Sequence, residues 1–319
     1  MNEKFSPIAL FVYNRPWHTE KTLKSLQQNK LAKDSLLYIF SDGPKSDREA
    51  NKVNEVRKYI KSIEGFKDVI VVEAKRNKGL ANSIIFGVTE VVNKYGKIIV
   101  LEDDLVTSRH FLFYMNDLLG KYEDKDLVYS ITGYNHANQL MKMPKNYNYD
   151  IYFCPRPSSW SWATWKDRWN KVDWEVKDFE NFKNNKGLQQ KFNAGGEDMS
   201  EMLIKQMEGK IDSWAIRWCY HHFKNNALCA YPTKSYVDNI GFDGSGVHCG
   251  VNKGYKNDCL NDKVEINRPE ELKIEKDIIN KFRKVYKQNY IKRVIISCLK
   301  KLGLYKVYKN IKQKKHELK

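Results

Sequence analysis

The sequence lacks the features of zinc-binding, exported and membrane-spanning proteins. Its 319 residues include six cysteines, and none of these forms a CxxC pair, so a structural zinc site is not expected. No window of 18 apolar residues is present, which excludes a membrane-spanning helix, and the N-terminus lacks a signal-peptide pattern. We therefore expect a cytoplasmic protein with reduced thiols.

Positive charge is abundant but unevenly placed. The net charge is +17, and residues 281–319 contribute +13 of it through 14 Lys or Arg and one acid. The body is then nearly neutral, which argues against a nucleic-acid-binding face on the fold and predicts a basic appendage. A composition change after Asn267-Arg268-Pro269 places the boundary between a domain, 1–270, and a tail, 271–319.

The first hundred residues alternate apolar strands with amphipathic helices. Continuous apolar strands between helices predict an α/β fold with a buried, mostly parallel sheet flanked by helices. Ligands of such sheets bind beyond the carboxyl ends of the strands. The predicted strands are 8–13, 36–40, 69–72 and 98–101, and the helices are 18–29, 46–63 and 79–95. The polar residues at the strand ends are Asn14, Arg15, Asp42, Arg76 and the acids at 102–104.

The second half, 106–270, is less regular than the first, 1–105. The pattern predicts helices over 109–122, 198–208 and 213–225, and a strand over 127–131. A stretch rich in glycine and polar residues, 239–250, indicates a loop. The aromatic stretch around Trp160 to Trp165 is typical of core or of packing in a binding cleft.

The acids Glu102-Asp103-Asp104 directly follow a predicted strand and are the most informative motif. Adjacent carboxylates repel one another unless a cation lies among them. A hard divalent ion, held by one or two carboxylates and a substrate diphosphate, meets that demand. The alternative is a solvated acidic turn that caps a helix, and spacing alone does not decide between the two.

On the basis of these residues, the sequence resembles the GT-A superfamily of glycosyltransferases. Its acidic motif is similar to that of animal N-acetylglucosaminyltransferase I, and the chain also resembles bacterial family 2 transferases of surface-polysaccharide assembly. The resemblance covers roughly 6–245 and includes Asn14-Arg15-Pro16, the Asp42 turn and the stretch from Arg76 to Gly79. It implies a GT-A fold, a UDP-sugar donor and Mn²⁺ or Mg²⁺.

The resemblance also implies roles for individual acids. Asp104 corresponds to the metal ligand, and Glu102 or Asp103 to the contact with the ribose or sugar. Asp42 corresponds to the acid that accepts the uracil N–H, although Ser-Asp-Gly-Pro is also favourable chemistry for a type I turn. Gly79 permits a close backbone approach at a helix N-terminus, where a phosphate is favoured, and Arg76 could add a charged contact or be a solvated loop cation.

The general base of an inverting transferase is expected in the second half. Asp212 precedes Trp214 by two positions, and the resemblance to the animal enzyme indicates this acid. Asp198 follows Gly195-Gly196-Glu197, and the resemblance to bacterial family 2 enzymes indicates that one. Either could simply be an N-cap. His248, within a glycine-containing loop, is a further candidate for binding the metal or diphosphate.

The tail predicts a basic amphipathic helix. Ile291, Val294, Ile295, Cys298, Leu299 and Leu302 have helical spacing and are flanked by lysines and arginines. Such a helix fits an anionic membrane surface, and it could instead pack on the domain or bind RNA.

These observations together predict an inverting glycosyltransferase. It would move N-acetylglucosamine or another hexose from a UDP-sugar to a saccharide or lipid-linked saccharide in surface-polysaccharide assembly, at the inner face of the cell membrane. A nucleotidyltransferase is the alternative enzyme, but it would carry a Gly-rich loop after the first strand, where this chain has Asn14-Arg15-Pro16. A basic nucleic-acid or membrane adaptor is the alternative outside enzymes, and the near-neutral body argues against it.

Overall fold

The computed structural model describes residues 4–245, 256–257 and 259–287. Within these residues the strands are β1 (Ile8–Val12), β2 (Leu36–Ser41), β3 (Asp68–Glu73), β4 (Lys97–Glu102), β5 (Leu105–Thr107), β6 (Val128–Thr132), β7 (Ile151–Cys154), β8 (Trp162–Trp165), β9 (Leu228–Pro232) and β10 (Val237–Asn239). The α-helices are α1 (Pro16–Gln27), α2 (Asp47–Ile60), α3 (Leu80–Tyr95), α4 (Phe111–Lys121), α5 (Lys166–Trp169), α6 (Phe179–Asn184), α7 (Lys186–Phe192), α8 (Met199–Met207), α9 (Trp214–Lys224) and α10 (Lys276–Val285).

The central sheet has eight strands among the described residues, in the order β3-β2-β1-β4-β8-β6-β9-β7. Strands β1 to β4 pair in parallel, as the alternation of strands and helices predicted. Strand β1 has β2 on one side and β4 on the other, and a helix precedes each of these neighbours in the chain. The strand order therefore reverses between β1 and β4. The sheet confirms the predicted mostly parallel α/β fold.

Both faces of the parallel half are covered, which explains its continuous apolar strands. Alternate residues of β1 point to opposite faces. Leu10 packs with Leu23 of α1 and Val56 of α2, whereas Phe11 packs with Val88 of α3. The parallel half is thereby a rigid base that holds the loops after β1, β2 and β4 in fixed positions.

The second half of the sheet has mixed pairing: β6 and β9 are parallel, and the other neighbours are antiparallel. Strand β8 pairs antiparallel with β4 and carries Trp162 and Trp165, each 1% exposed. Trp162 lies within 4.9 Å of Trp214 on α9, measured between ring centroids, so this aromatic stretch forms core. Sequence patterns missed β5 and β7 to β10, which are short strands outside the regular alternation of strands and helices. The predicted loop 239–250 begins at the last residue of β10, and its residues 246–250 lie outside the described part.

Helix α10 packs on the domain, although its residues belong to the predicted tail. Ile278 and Phe282, at 2% and 0% exposure, lie against Tyr152 of β7 and Tyr231 of β9. The boundary at 270 stays a prediction, and the predicted amphipathic helix over 291–302 lies outside the described residues. Across the residues described, no helix has the length and apolar character needed to span a bilayer.

Candidate active site

The acidic turn lies at the point where the strand order reverses. Strands β1 and β4 are neighbours, so Arg15, which follows β1, meets Asp103 and Asp104, which follow β4. The guanidinium of Arg15 donates to a carboxylate oxygen of Asp103 and, at 2.9 Å, to Oδ2 of Asp104. Arg15 therefore supplies one cation beside these adjacent carboxylates. Arg15 was predicted to bind the donor, and its ion pair with the acidic turn was not predicted.

The three acids differ in their surroundings. Burial, together with repulsion from the neighbouring Asp104 and Asp103, raises the pKa of Glu102 to about 8. Burial also raises the pKa of Asp103, while Arg15 opposes that rise. The backbone of Asp103 is fixed by the hydroxyl of Thr22 on α1, which donates to its carbonyl oxygen at 2.9 Å.

Asp104 has the donor chemistry of a divalent-cation ligand. Only its Oδ2 accepts a hydrogen bond from the described part of the chain, so Oδ1 remains available. Among the residues described, no three His, Cys, Asp or Glu side chains cluster as a complete metal site. A single carboxylate fits a cation that takes most of its ligands from a substrate diphosphate and water, the arrangement preferred by Mg²⁺.

Asp42 holds the loop that follows β3. Its carboxylate accepts from the backbone N–H of Gly43, Lys78 and Gly79 at 2.8, 2.9 and 3.1 Å, and from the Asn77 amide at 3.0 Å. The two N–H groups at the start of α3 that were expected to favour a phosphate therefore bond to Asp42. The predicted contact with uracil needs one of these donors to be displaced.

The loops after β2 and β3 are in close contact at Gly43. A Cβ at Gly43 would lie 2.5 Å from the carbonyl carbon of Arg76, so a larger residue would separate the two loops. The Arg76 side chain is exposed and makes no hydrogen bond or ion pair with described residues. Asn14, the remaining predicted donor-binding residue, donates to Glu49 at 3.1 Å.

We expect Asp42→Ala to weaken UDP binding by roughly 10-fold or more, the scale of a hydrogen bond to a charged group. CDP binding should fall less, because cytosine lacks the N–H that the carboxylate would accept. Calorimetry with both nucleotides measures the difference. Asn77→Ala is the matched control, since it removes a loop contact of Asp42 and keeps the carboxylate. Equal losses for UDP and CDP in Asp42→Ala would show that Asp42 is only a turn residue.

The two candidate bases are in contrasting environments. Both oxygens of Asp198 are bound by Arg156, at 2.7 and 2.9 Å. Asp212 is exposed and forms no hydrogen bond or ion pair within the part of the chain that is described. Its Oδ2 would lie 3.3 Å from a Cβ at Gly79, so it is next to the start of α3. Asp212 precedes the N-cap Ser213 and is not itself the cap.

The segment after β10 folds back over the acidic turn. The N–H of Ile240 donates to the carbonyl oxygen of Asp104 at 2.9 Å. A Cβ at Gly241 would lie 2.1 Å from Oδ2 of Asp104, so glycine is needed for this close approach. Asp243 lies 3.1 Å from Nε2 of His18 on α1. The expected ligand His248 falls outside the described residues.

A doubly wound sheet with an acidic turn where the strand order reverses is the architecture of GT-A glycosyltransferases. The chain belongs to glycosyl transferase family 2, whose family model matches residues 8–195. That match includes the acidic turn and Asp42, and it ends before Asp198 and Asp212.

Solved structures with a related fold are distant in sequence. A mannosyltransferase from Pyrobaculum calidifontis, in complex with GDP-Man and Mn²⁺, is 10% identical with a TM-score of 0.39, covering 70% of this chain and 72% of that one. TarS from S. aureus is 10% identical with a TM-score of 0.38, covering 72% and 36%. A UDP-glucose pyrophosphorylase complexed with UDP-glucose is 13% identical with a TM-score of 0.37, covering 72% and 90%. A search of curated proteins finds no match.

Proposed function

We propose that this glycosyltransferase transfers a sugar, with N-acetylglucosamine as the first to test, from a UDP-sugar to a saccharide acceptor with inversion. The observation that carries the proposal is the convergence of Asp42, Arg15 and the 102–104 turn at the carboxyl ends of β2, β1 and β4. Such an edge is where doubly wound sheets bind nucleotides. In the proposed arrangement Asp42 contacts the uracil of the donor, and Glu102 or Asp103 contacts the ribose or sugar.

Asp212 is the base in the proposed mechanism. It takes the proton of an acceptor hydroxyl, whose oxygen attacks the anomeric carbon while the bond to the diphosphate breaks. The absence of any hydrogen bond from the described residues to its carboxylate supports this role, because a base must be able to accept a proton. Asp198, with both oxygens bound by Arg156, is the alternative base.

Asp104 is the residue that would hold the divalent cation, and when bound the cation neutralises charge on the departing diphosphate. Arg15 lies beside Asp104 and adds positive charge to the same edge of the sheet. Arg76, which is exposed and follows β3, is proposed to add a charged contact to the donor phosphates.

A donor screen tests this proposal. Thermal shift with UDP-, GDP- and CDP-sugars, each with and without Mn²⁺, should show the largest stabilisation for a UDP-sugar with the metal, since a ligand that binds only the folded state raises its stability. Stabilisation by GDP-sugars alone would contradict the assignment of Asp42. No stabilisation by any nucleotide sugar would contradict the proposed activity.

The tail is proposed to bind an anionic membrane surface that carries the acceptor. Because Phe282 is buried, the truncation that tests this should remove 288–319 and leave α10 in place. Those residues hold ten Lys or Arg and one acid. Each cation near an anionic surface contributes about 1 kcal/mol.

We expect the chain ending at 287 to remain folded and to lose binding to anionic vesicles. Binding of the full-length chain should also weaken as salt rises, because screening shortens the reach of the lysines. Co-sedimentation with vesicles at low and high salt measures both effects. The matched control keeps the length and replaces Lys292, Arg293, Lys300 and Lys301 by glutamine. Unchanged vesicle binding by both variants would contradict the membrane proposal, and tight RNA binding by the full-length chain would favour the adaptor.

A further inference from the structure

A cavity of about 250 Å³ lies in the second half of the domain, with Phe242 and Ser213 in its lining. Phe242, which lines it, follows the Gly241 that touches Asp104. Ser213, on another wall, follows Asp212. The cavity lining thus includes the chain neighbours of Gly241, which contacts the proposed metal ligand, and of Asp212, the proposed base. A glycosyl transfer needs its acceptor close to both groups.

Aromatic rings form much of the cavity wall. Trp160 is in edge contact with Tyr134 at 4.5 Å and with Phe242 at 5.4 Å between ring centroids. Tyr286, directly after α10, closes another side. Aromatic faces offer a large apolar surface that suits the C–H faces of a sugar ring. The volume is below the roughly 300–1,000 Å³ of pockets for drug-sized ligands, so it fits a single ring.

The cavity contains one charged side chain among its described lining residues, and that charge is neutralised. Arg156 donates through both terminal nitrogens to Asp198. The ring of Tyr286 covers the guanidinium, with the central carbon 3.7 Å from the ring centroid. A ligand with a carboxylate or phosphate would find no free cation here, and burying an unpaired charge is strongly unfavourable.

His136 brings a hydrogen-bonding group that the described residues leave unsatisfied. Its side chain is 5% exposed, and its Nε2 is buried without a partner in the described part of the chain. Nδ1 lies 3.4 Å from the hydroxyl of Tyr134. Burial, with repulsion from Arg156, lowers the pKa of His136 to about 3, so the ring is uncharged at neutral pH. Buried polar atoms without partners are rare and indicate a missing ligand or water.

We propose that this cavity binds one uncharged sugar ring of the acceptor, with Nε2 of His136 bonded to a ring hydroxyl and Tyr286 as the wall supplied by the C-terminal helix. The inference rests on the glycosyltransferase reaction proposed above and specifies its acceptor. It makes His136 and Tyr286 determinants of acceptor specificity, and it makes Arg156 a positioning residue that holds Asp198.

The test uses binding of simple sugars to the full-length protein without a donor. Saturation-transfer NMR is recorded with methyl glucoside and methyl N-acetylglucosaminide, and with glucuronate and glucose 6-phosphate as charged probes. We expect the uncharged glycosides to bind and the charged probes to bind at least tenfold more weakly. His136→Phe, which keeps a ring and loses the nitrogen, should weaken glycoside binding roughly three- to tenfold, the loss of one hydrogen bond.

Tyr286→Ala should also weaken glycoside binding, because it opens the wall, whereas the exposed Tyr149→Ala is the matched control. Glycoside affinity unchanged in both His136→Phe and Tyr286→Ala overturns the inference, as does tighter binding of glucuronate or glucose 6-phosphate. Nucleotide binding with Mn²⁺, measured separately by calorimetry, tests the proposed function. Sugar binding without nucleotide binding would therefore contradict the function and leave the cavity assignment standing.

Discussion

Asp212→Asn is expected to slow sugar transfer by about 10²-fold or more, the scale of a general base, while donor affinity stays unchanged. The Asp212 carboxylate is exposed and makes no bond to described residues, so its loss should change the free energy of unfolding by no more than about 0.5 kcal/mol. The substitution therefore separates chemistry from folding. Steady-state transfer rates, with calorimetry of UDP-sugar binding, measure the two effects.

Asp198→Asn is the matched comparison for the base. It breaks a bidentate ion pair with Arg156, which is partly buried, so we expect a loss of stability in addition to any loss of rate. A full transfer rate in Asp212→Asn, together with a stable but inactive Asp198→Asn, would assign the base to Asp198. Rates at saturating acceptor distinguish a lost base from a disturbed acceptor cavity, because only the second raises KM selectively.

Asp104→Asn is expected to abolish the metal-dependent part of donor binding, a loss of about 10²-fold or more for a ligand held through one carboxylate and its diphosphate. The unliganded fold should lose little stability. Arg15 loses its bond to Asp104 but keeps its pair with Asp103. Calorimetry of UDP with and without Mn²⁺, followed by thermal unfolding, measures both.

Asp103→Asn is the matched control for the metal ligand. Asp103 is 4% exposed and bonded to Arg15, so this substitution should lower the stability of the fold. A metal-dependent UDP affinity that is the same in Asp104→Asn and in the unchanged protein would show that Asp104 does not bind the metal.

The first half, 1–105, could be predicted from the sequence because its signals are local. Apolar runs such as 98–101 and the polar residues directly after them fix both the strands and the edge where those residues meet. The same pattern of strands also implies that Arg15 lies close to the acidic turn. In a doubly wound sheet the first and fourth strands are neighbours, so the residues that follow them face each other.

The proposed acceptor cavity could not be predicted in the same way. His136, Arg156 and Tyr286 come from three separate segments and match no local motif. Their meeting depends on β7 and β9 pairing and on α10 packing across them. Asp198 and Asp212 were found by residue type and resemblance. Only the structure shows that both oxygens of Asp198 are bound by Arg156, whereas Asp212 makes no hydrogen bond with the described residues.

The position of Tyr286 has a consequence for how activity is acquired during synthesis. The proposed donor-binding residues Arg15, Asp42 and Asp104 are translated early, and domains fold as their segments emerge. The acceptor cavity, by contrast, lacks one wall until α10 has been made and has docked. A chain cut proteolytically between β10 and α10 should therefore still bind a nucleotide yet handle acceptors poorly. Productive transfer then requires an intact α10, even though the proposed catalytic residues come much earlier in the chain.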